Sequence, residues 1–262
     1  MRLRNACVMI GVTFALCALA GCNAFRGGSR ITDVSQPVPH FKSDANTPHV
    51  AAQNNVALAE EYMKDGKYEI ALARLQSAVK LDPSSPDAYT MLGYLYEKIN
   101  RPEQAEANYA KSVKLAPDKG DYLNNYGQWL CRSGHPTEAD PLFRKALADP
   151  FYKTPSIALG NAAACATKAG KPELAESYER QALALDPNNA YALKAMASIQ
   201  YQHGNYMSAR GFAERLLAVG KASPDTLELA AQIEDKLGNQ DGARDYRNRL
   251  STEFPQYTPG QH

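Results

Sequence analysis

Asp65-Gly66-Lys67-Tyr68-Glu69-Ile70-Ala71 is a short reversal that this chain writes six times. It returns as Ile99-Asn100-Arg101-Pro102-Glu103-Gln104-Ala105 and as Ser133-Gly134-His135-Pro136-Thr137-Glu138-Ala139. It returns again as Ala169-Gly170-Lys171-Pro172-Glu173-Leu174-Ala175, His203-Gly204-Asn205-Tyr206-Met207-Ser208-Ala209 and Leu237-Gly238-Asn239-Gln240-Asp241-Gly242-Ala243. The Gly/Asn positions are spaced 34, 34, 36, 34 and 34 residues apart. A small residue at each turn suits a backbone that must reverse tightly. Pro102, Pro136 and Pro172 sit where a helix starts and a missing N–H costs little. The alanine closing each copy lets two helices approach closely. Leu81-Asp82-Pro83, Leu115-Ala116-Pro117, Leu185-Asp186-Pro187 and Phe254-Pro255 then stop the second helix of a pair.

A period of 34 with this turn resembles the tetratricopeptide repeat, a pair of antiparallel helices. The expected units are residues 52–85, 86–119, 120–155, 156–189, 190–223 and 224–257, with 258–262 as a tail. The third unit is two residues long, through Pro150-Phe151-Tyr152-Lys153-Thr154-Pro155. Gly93 and Tyr96 fit the small and aromatic pair of a first helix, and Ala59/Tyr62 and Gly127/Leu130 are milder variants. Ala213 and Arg247 stand where an aromatic is usual. Because one pair cannot bury its apolar side alone, neighbours must stack. The resemblance implies an all-α, right-handed superhelix of six helix pairs with a concave groove.

Composition agrees with a globular scaffold. The 262 residues are 44% hydrophobic and 22% charged, with 29 basic and 28 acidic side chains. Such a balance supplies no global field for nucleic acid or anionic lipid. A mean hydropathy of −0.46 excludes a polytopic membrane protein. His40, His49, His135, His203 and His262 make no metal-binding pattern. There is no C-x-x-C, no phosphate loop and no G-x-S-x-G, so the chain is read as a binding scaffold without enzymatic activity, cofactor or small-molecule substrate.

The N-terminus adds an address. Met1-Arg2-Leu3-Arg4 is basic, residues 6–20 are almost wholly apolar, and Leu19-Ala20-Gly21-Cys22 follows. The apolar run has the length of a secretory signal and is short for a membrane span. The stretch closely resembles a bacterial lipoprotein signal. That resemblance implies cleavage after Gly21, lipid on Cys22 and a location outside the cytoplasm. A plain signal peptide or an uncleaved anchor is the alternative. Asn23 in place of an aspartate favours the outer membrane of a Gram-negative bacterium, at its periplasmic face. Removing Arg2 and Arg4 with the signal at 1–21 leaves 27 basic against 28 acidic side chains. Residues 22–51, punctuated by Gly27, Gly28, Pro37, Pro39 and Pro48, read as the lipidated N-terminus and a flexible tether.

More specific are Asn124-Asn125-Tyr126-Gly127-Gln128-Trp129-Leu130-Cys131, Ala148-Asp149-Pro150-Phe151-Tyr152-Lys153-Thr154-Pro155 and Asn161-Ala162-Ala163-Ala164-Cys165. These resemble the type IV pilus biogenesis and stability lipoproteins, the PilF/PilW family. The resemblance implies a pilotin, which brings the pilus secretin to the outer membrane and supports its multimerisation. The competing reading is a general periplasmic scaffold that organises cell-wall enzymes or outer-membrane assembly proteins.

Two expectations concern particular side chains. Counting along first helices places Val56, Met63, Tyr94, Asn124 and Gln128 toward the groove as a protein-binding set, or half-buried between repeats. Cys7 and Cys17 leave with the signal and Cys22 is acylated, so Cys131 and Cys165 remain of five cysteines. They lie 34 residues apart on adjacent first helices, where a disulfide is expected if the two faces meet. The alternative is a pair of buried free thiols acting as small apolar residues.

Overall fold

The computed structural model describes residues 47–220 and 222–258. The signal segment, Cys22, nearly all of the tether and most of the tail lie outside the described residues. Twelve α-helices follow one another: α1 (Pro48–Lys64), α2 (Tyr68–Leu81), α3 (Pro86–Lys98), α4 (Pro102–Leu115), α5 (Gly120–Arg132), α6 (Pro136–Leu147), α7 (Pro155–Lys168), α8 (Pro172–Leu185), α9 (Ala190–Gln202), α10 (Tyr206–Val219), α11 (Pro224–Lys236) and α12 (Gln240–Glu253). Among the described residues there is no strand. The six pairs stack in sequence, second helix against the next first helix, in a tetratricopeptide-repeat superhelix.

Each pair is closed by the same backbone device. Gly66 has φ +73°. The N–H of Lys67 then reaches back to the carbonyl of Tyr62 at 2.8 Å, and that of Gly66 to Met63 at 3.0 Å. This satisfies carbonyls at the helix end that have no partner within the helix. In the second repeat Asn100 does the same work at φ +55°, a conformation asparagine tolerates. His135, Lys171, Asn205 and Asn239 repeat the long-range bond at 2.8–2.9 Å.

Within a pair, a small residue on the first helix faces a large one on the second. A Cβ on Gly93 would lie 2.9 Å from the Tyr109 ring, and one on Gly127 would lie 3.1 Å from Phe143. The turn-proximal alanines Ala71, Ala105, Ala139, Ala175, Ala209 and Ala243 are all buried. One continuous apolar core, from Tyr109 through Trp129, Phe143 and Leu159 to Tyr178, joins the middle repeats.

One boundary differs from expectation. Helix α1 begins at Pro48, four residues before the expected unit start at 52, so residues 48–51 are helix and not tether. The Thr47 side chain accepts from the Val50 N–H at 3.3 Å, and Pro48 occupies a first-turn position. A proline read as loop punctuation is therefore a helix start. The two extra residues of the third repeat also have a defined role. Asp149 accepts hydrogen bonds from the N–H groups of Gly120 and Phe151, both at 2.9 Å. Those donors hold its carboxyl below the usual carboxylate range. The insertion thus caps α5, whose own N-cap residue Lys119 makes no side-chain cap. Tyr152 is buried over Gly120, where a Cβ would fall 2.5 Å from the ring.

The same substitution should act in opposite directions at two helical glycines. Gly93→Ala forces the buried Tyr109 ring to move and should lower the stability measured by urea unfolding by about 1–2 kcal/mol, net of the helix-propensity gain. Gly160, on α7, has no heavy atom within 4 Å of its Cβ direction, and Gly160→Ala should raise stability by roughly 0.5–1 kcal/mol.

Candidate functional site

The expected groove residues do not form one surface. Met63 and Tyr94 do meet, in a recess of about 330 Å³ between α1, α2 and α3. Met63 and the half-buried Tyr68 and Met91 give it an apolar floor. Glu60, Lys64 and Lys98 supply a charged rim, with Lys64 paired to Glu60 at 3.2 Å. Tyr94 is 38% exposed, and the Lys98 Nζ sits 5.0 Å from its ring centroid. Val56 is elsewhere, packed against the cores around Leu75 and Ala78. Asn124 is buried. Its Oδ1 accepts from Asn161 Nδ2 at 3.0 Å, while Gln128 Nε2 donates to Asn161 Oδ1 at 3.0 Å. Asn124 therefore serves packing, and Val56 is half-buried against two cores. Helix spacing alone cannot separate a side chain aimed at the groove from one aimed at the next repeat.

That amide ladder ties α5 to α7. Further along the same seam, the Cys131 and Cys165 side chains face each other with Cα atoms 5.6 Å apart, within the range a disulfide requires. Arg132 at the end of α5 pairs in bidentate fashion with Glu97 of α3 at 2.8 and 2.9 Å, and the Tyr109 hydroxyl donates to the same carboxylate at 3.3 Å. Tyr178 on α8 donates to Asp140 on α6 at 2.6 Å. Polar bonds thus lock the second, third and fourth repeats to one another.

The seam between α7 and α9 is different. A recess of about 570 Å³ opens there, lined by Ile157, Gly160 and Asn161 of α7, Glu179 of α8 and Tyr191 of α9. Glu179 is only 8% exposed, and among the described residues it makes no hydrogen bond or ion pair. Burial alone pushes its carboxyl up to about 7. The residue stands four positions after Ala175, where Leu75, Tyr109 and Phe143 stand after Ala71, Ala105 and Ala139. A carboxylate in the register of the core's large apolar side chains was visible in the sequence as a break in the repeat. Its burial was not. Among the described residues no group of His, Cys, Asp and Glu is arranged to hold a metal ion, and no helix is long and apolar enough to cross a membrane.

Fold and seams define a tetratricopeptide-repeat protein, and family comparisons agree: residues 59–100 match "TPR repeat", and 86–119 and 127–190 match "Tetratricopeptide repeat". The solved structure of PilW, described as a widely conserved type IV pilus biogenesis factor, is 32% identical. It superposes with a TM-score of 0.68 over 79% of this chain and 94% of that one. The solved structure of PilF from Pseudomonas aeruginosa is 25% identical with a TM-score of 0.70, covering 80% of this chain and 95% of that one. The curated sequence of that organism's type IV pilus assembly protein PilF is 26% identical over 200 residues, 76% of this chain and 79% of PilF. The chain belongs to the PilF/PilW family of type IV pilus biogenesis repeat proteins.

Glu179 makes stability depend on pH. Its folded carboxyl titrates near 7 against an ordinary 4.5, so it holds its proton more tightly when folded. The neutral form is tolerated below about pH 4.5, and stability is lost as pH rises through 7. Glu179→Gln should therefore gain stability relative to the parent chain between pH 5 and 8, by about 2–3 kcal/mol in all. Urea unfolding at each pH measures the difference, and a gap that does not change with pH contradicts the assignment.

Proposed function

We propose that this chain is a lipid-anchored component of the type IV pilus machinery that acts as a pilotin. It would be held at the periplasmic face of the outer membrane and support assembly of the pilus secretin there. The observation that carries the reading is the similarity to PilW across 94% of that chain. The anchor rests on Leu19-Ala20-Gly21-Cys22 after an apolar run. Several acyl chains on one residue hold far more firmly than one, since each buried CH₂ adds about 0.8 kcal/mol. A scaffold of this kind performs no chemistry. It presents a surface that its repeats keep in a fixed geometry.

The Met63–Tyr94 recess is the surface we assign to the secretin. An apolar floor with a charged rim suits a partner segment with one apolar face, and exposed aromatics commonly dominate such contacts. A Cys131–Cys165 disulfide, allowed by the oxidising periplasm, would fix the third repeat to the fourth.

Deleting the gene should abolish heat-resistant secretin multimers and surface pili, and the intact chain should restore both. Cys22→Ser should lose palmitate labelling and fail to restore them. Tyr94→Ala should reduce multimers while leaving far-UV helicity unchanged. Normal multimers and pili in the deletion strain would move the chain to the general-scaffold reading. For the cysteines, denatured but unreduced periplasmic protein should show no free thiol at Cys131 or Cys165. Removing the bridge should cost roughly 3–4 kcal/mol, and two titratable thiols would refute the bridge.

A further inference from the structure

The recess between the fourth and fifth repeats has no part in the pilotin reading, yet it has the features of a site. The first helices α1 and α3, and α5 and α7, lie against one another, but α7 and α9 barely meet. Helix α7 is tied instead to α5, through Asn161 to Asn124 and Gln128. Nothing fills the space left behind: Gly160 faces it with no heavy atom within 4 Å of its Cβ direction. Its rim carries two large apolar side chains that fold stability would bury, Ile157 at 57% exposure and Tyr191 at 89%. Its interior carries Glu179, at 8% exposure and without a partner. Among the described residues no fully buried side-chain oxygen lacks a hydrogen-bond partner, so the carboxylate of this largely buried residue opens into the recess, where a complementary cation can reach it.

We propose that this recess is a second docking site, which takes a segment of a partner protein presenting a lysine or arginine flanked by apolar side chains. The cation would meet the Glu179 carboxylate, and the flanking apolar groups would cover Ile157 and Tyr191. Charge complementarity selects this occupant. A lone carboxylate repels phosphate, carboxylate and nucleic acid. It is also too few ligands for a metal ion, which needs several oxygen or nitrogen donors. The apolar platform continues from the hollow onto the surface, so the occupant is a chain that enters and leaves and not an isolated small cation. The site does not depend on which machine the repeats serve.

A random nonapeptide phage library panned on the full-length protein in detergent tests this. Gly160→Leu projects a side chain into the hollow from a position whose Cβ direction is open, and Glu179→Gln removes the charge isosterically. Circular dichroism checks that each folds. Ala164→Leu, also in the lining, is the substitute if the filled variant does not, and Glu179→Ala is the substitute for Glu179→Gln. Selected peptides should carry Lys or Arg within two residues of Leu, Ile or Phe. They should bind the filled variant at least tenfold more weakly. Replacing the peptide's basic residue by Gln should cost at least tenfold against the parent chain and nothing further against Glu179→Gln. The proposal is overturned if no peptide distinguishes the parent chain from the filled variant. It is equally overturned if the selected peptides lack a basic residue, or if Glu179→Gln binds them unchanged.

Discussion

At six points the backbone must turn a helix back on itself within three residues, and everything else in the structure follows from how it does so. One residue enters the left-handed region, and the very next N–H reaches back to the final turn of the helix just ended. The turn that results leaves no room for a long loop, so the second helix must lie antiparallel and close to the first. Closeness then dictates composition. Gly93 and Gly127 give way to the rings of Tyr109 and Phe143, and the alanines after each turn have no room for more than a methyl group.

Pairs closed in this way still expose apolar faces, and stacking buries them. The middle of the stack is where apolar packing is reinforced by polar bonds. Arg132, Glu97 and Tyr109 join the second repeat to the third, and Asn124, Gln128 and Asn161 join the third to the fourth. The insertion at 149–154 belongs to this same region, because Asp149 supplies the cap that α5 lacks locally. The third and fourth repeats also carry the motifs on which the sequence alone suggested the pilus family. Their specificity is therefore structural first: amides, cysteines and an inserted turn fix the angle between repeats, and with it the surface presented to a partner.

The site was less legible than the fold. Met63 and Tyr94 share a recess as the helical count suggested, because both sit toward the C-terminal ends of adjacent first helices. Asn124 follows the same count and yet points into the stack. Counting residues fixes an angle around one helix, but which side of that helix meets a neighbour depends on the angle between repeats. Glu179 shows the reverse failure. Its place in the register of Leu75, Tyr109 and Phe143 was readable, but glutamate is an ordinary surface residue of helices, and nothing local marks this one as buried.

What the sequence by itself determined is whatever depends on neighbours in the chain. The six turns, the helix stops at proline, the 34-residue period and the placing of Cys131 and Cys165 on adjacent first helices all repeat at fixed spacing, so they are visible without coordinates. Even there the start of α1 was obscured, because Pro48 reads equally as a loop residue or a first-turn residue until Thr47 is seen to cap it. The tertiary structure alone decided what depends on how repeats lean on one another: the closed, bonded seam between α5 and α7, and the open one between α7 and α9. Both seams are built from helices of the same kind and nearly the same length. They differ in what crosses them: Asn161 bonds α7 to α5, while Gly160 faces open space toward α9, and how near two helices come is a property of the packed stack and not of either helix.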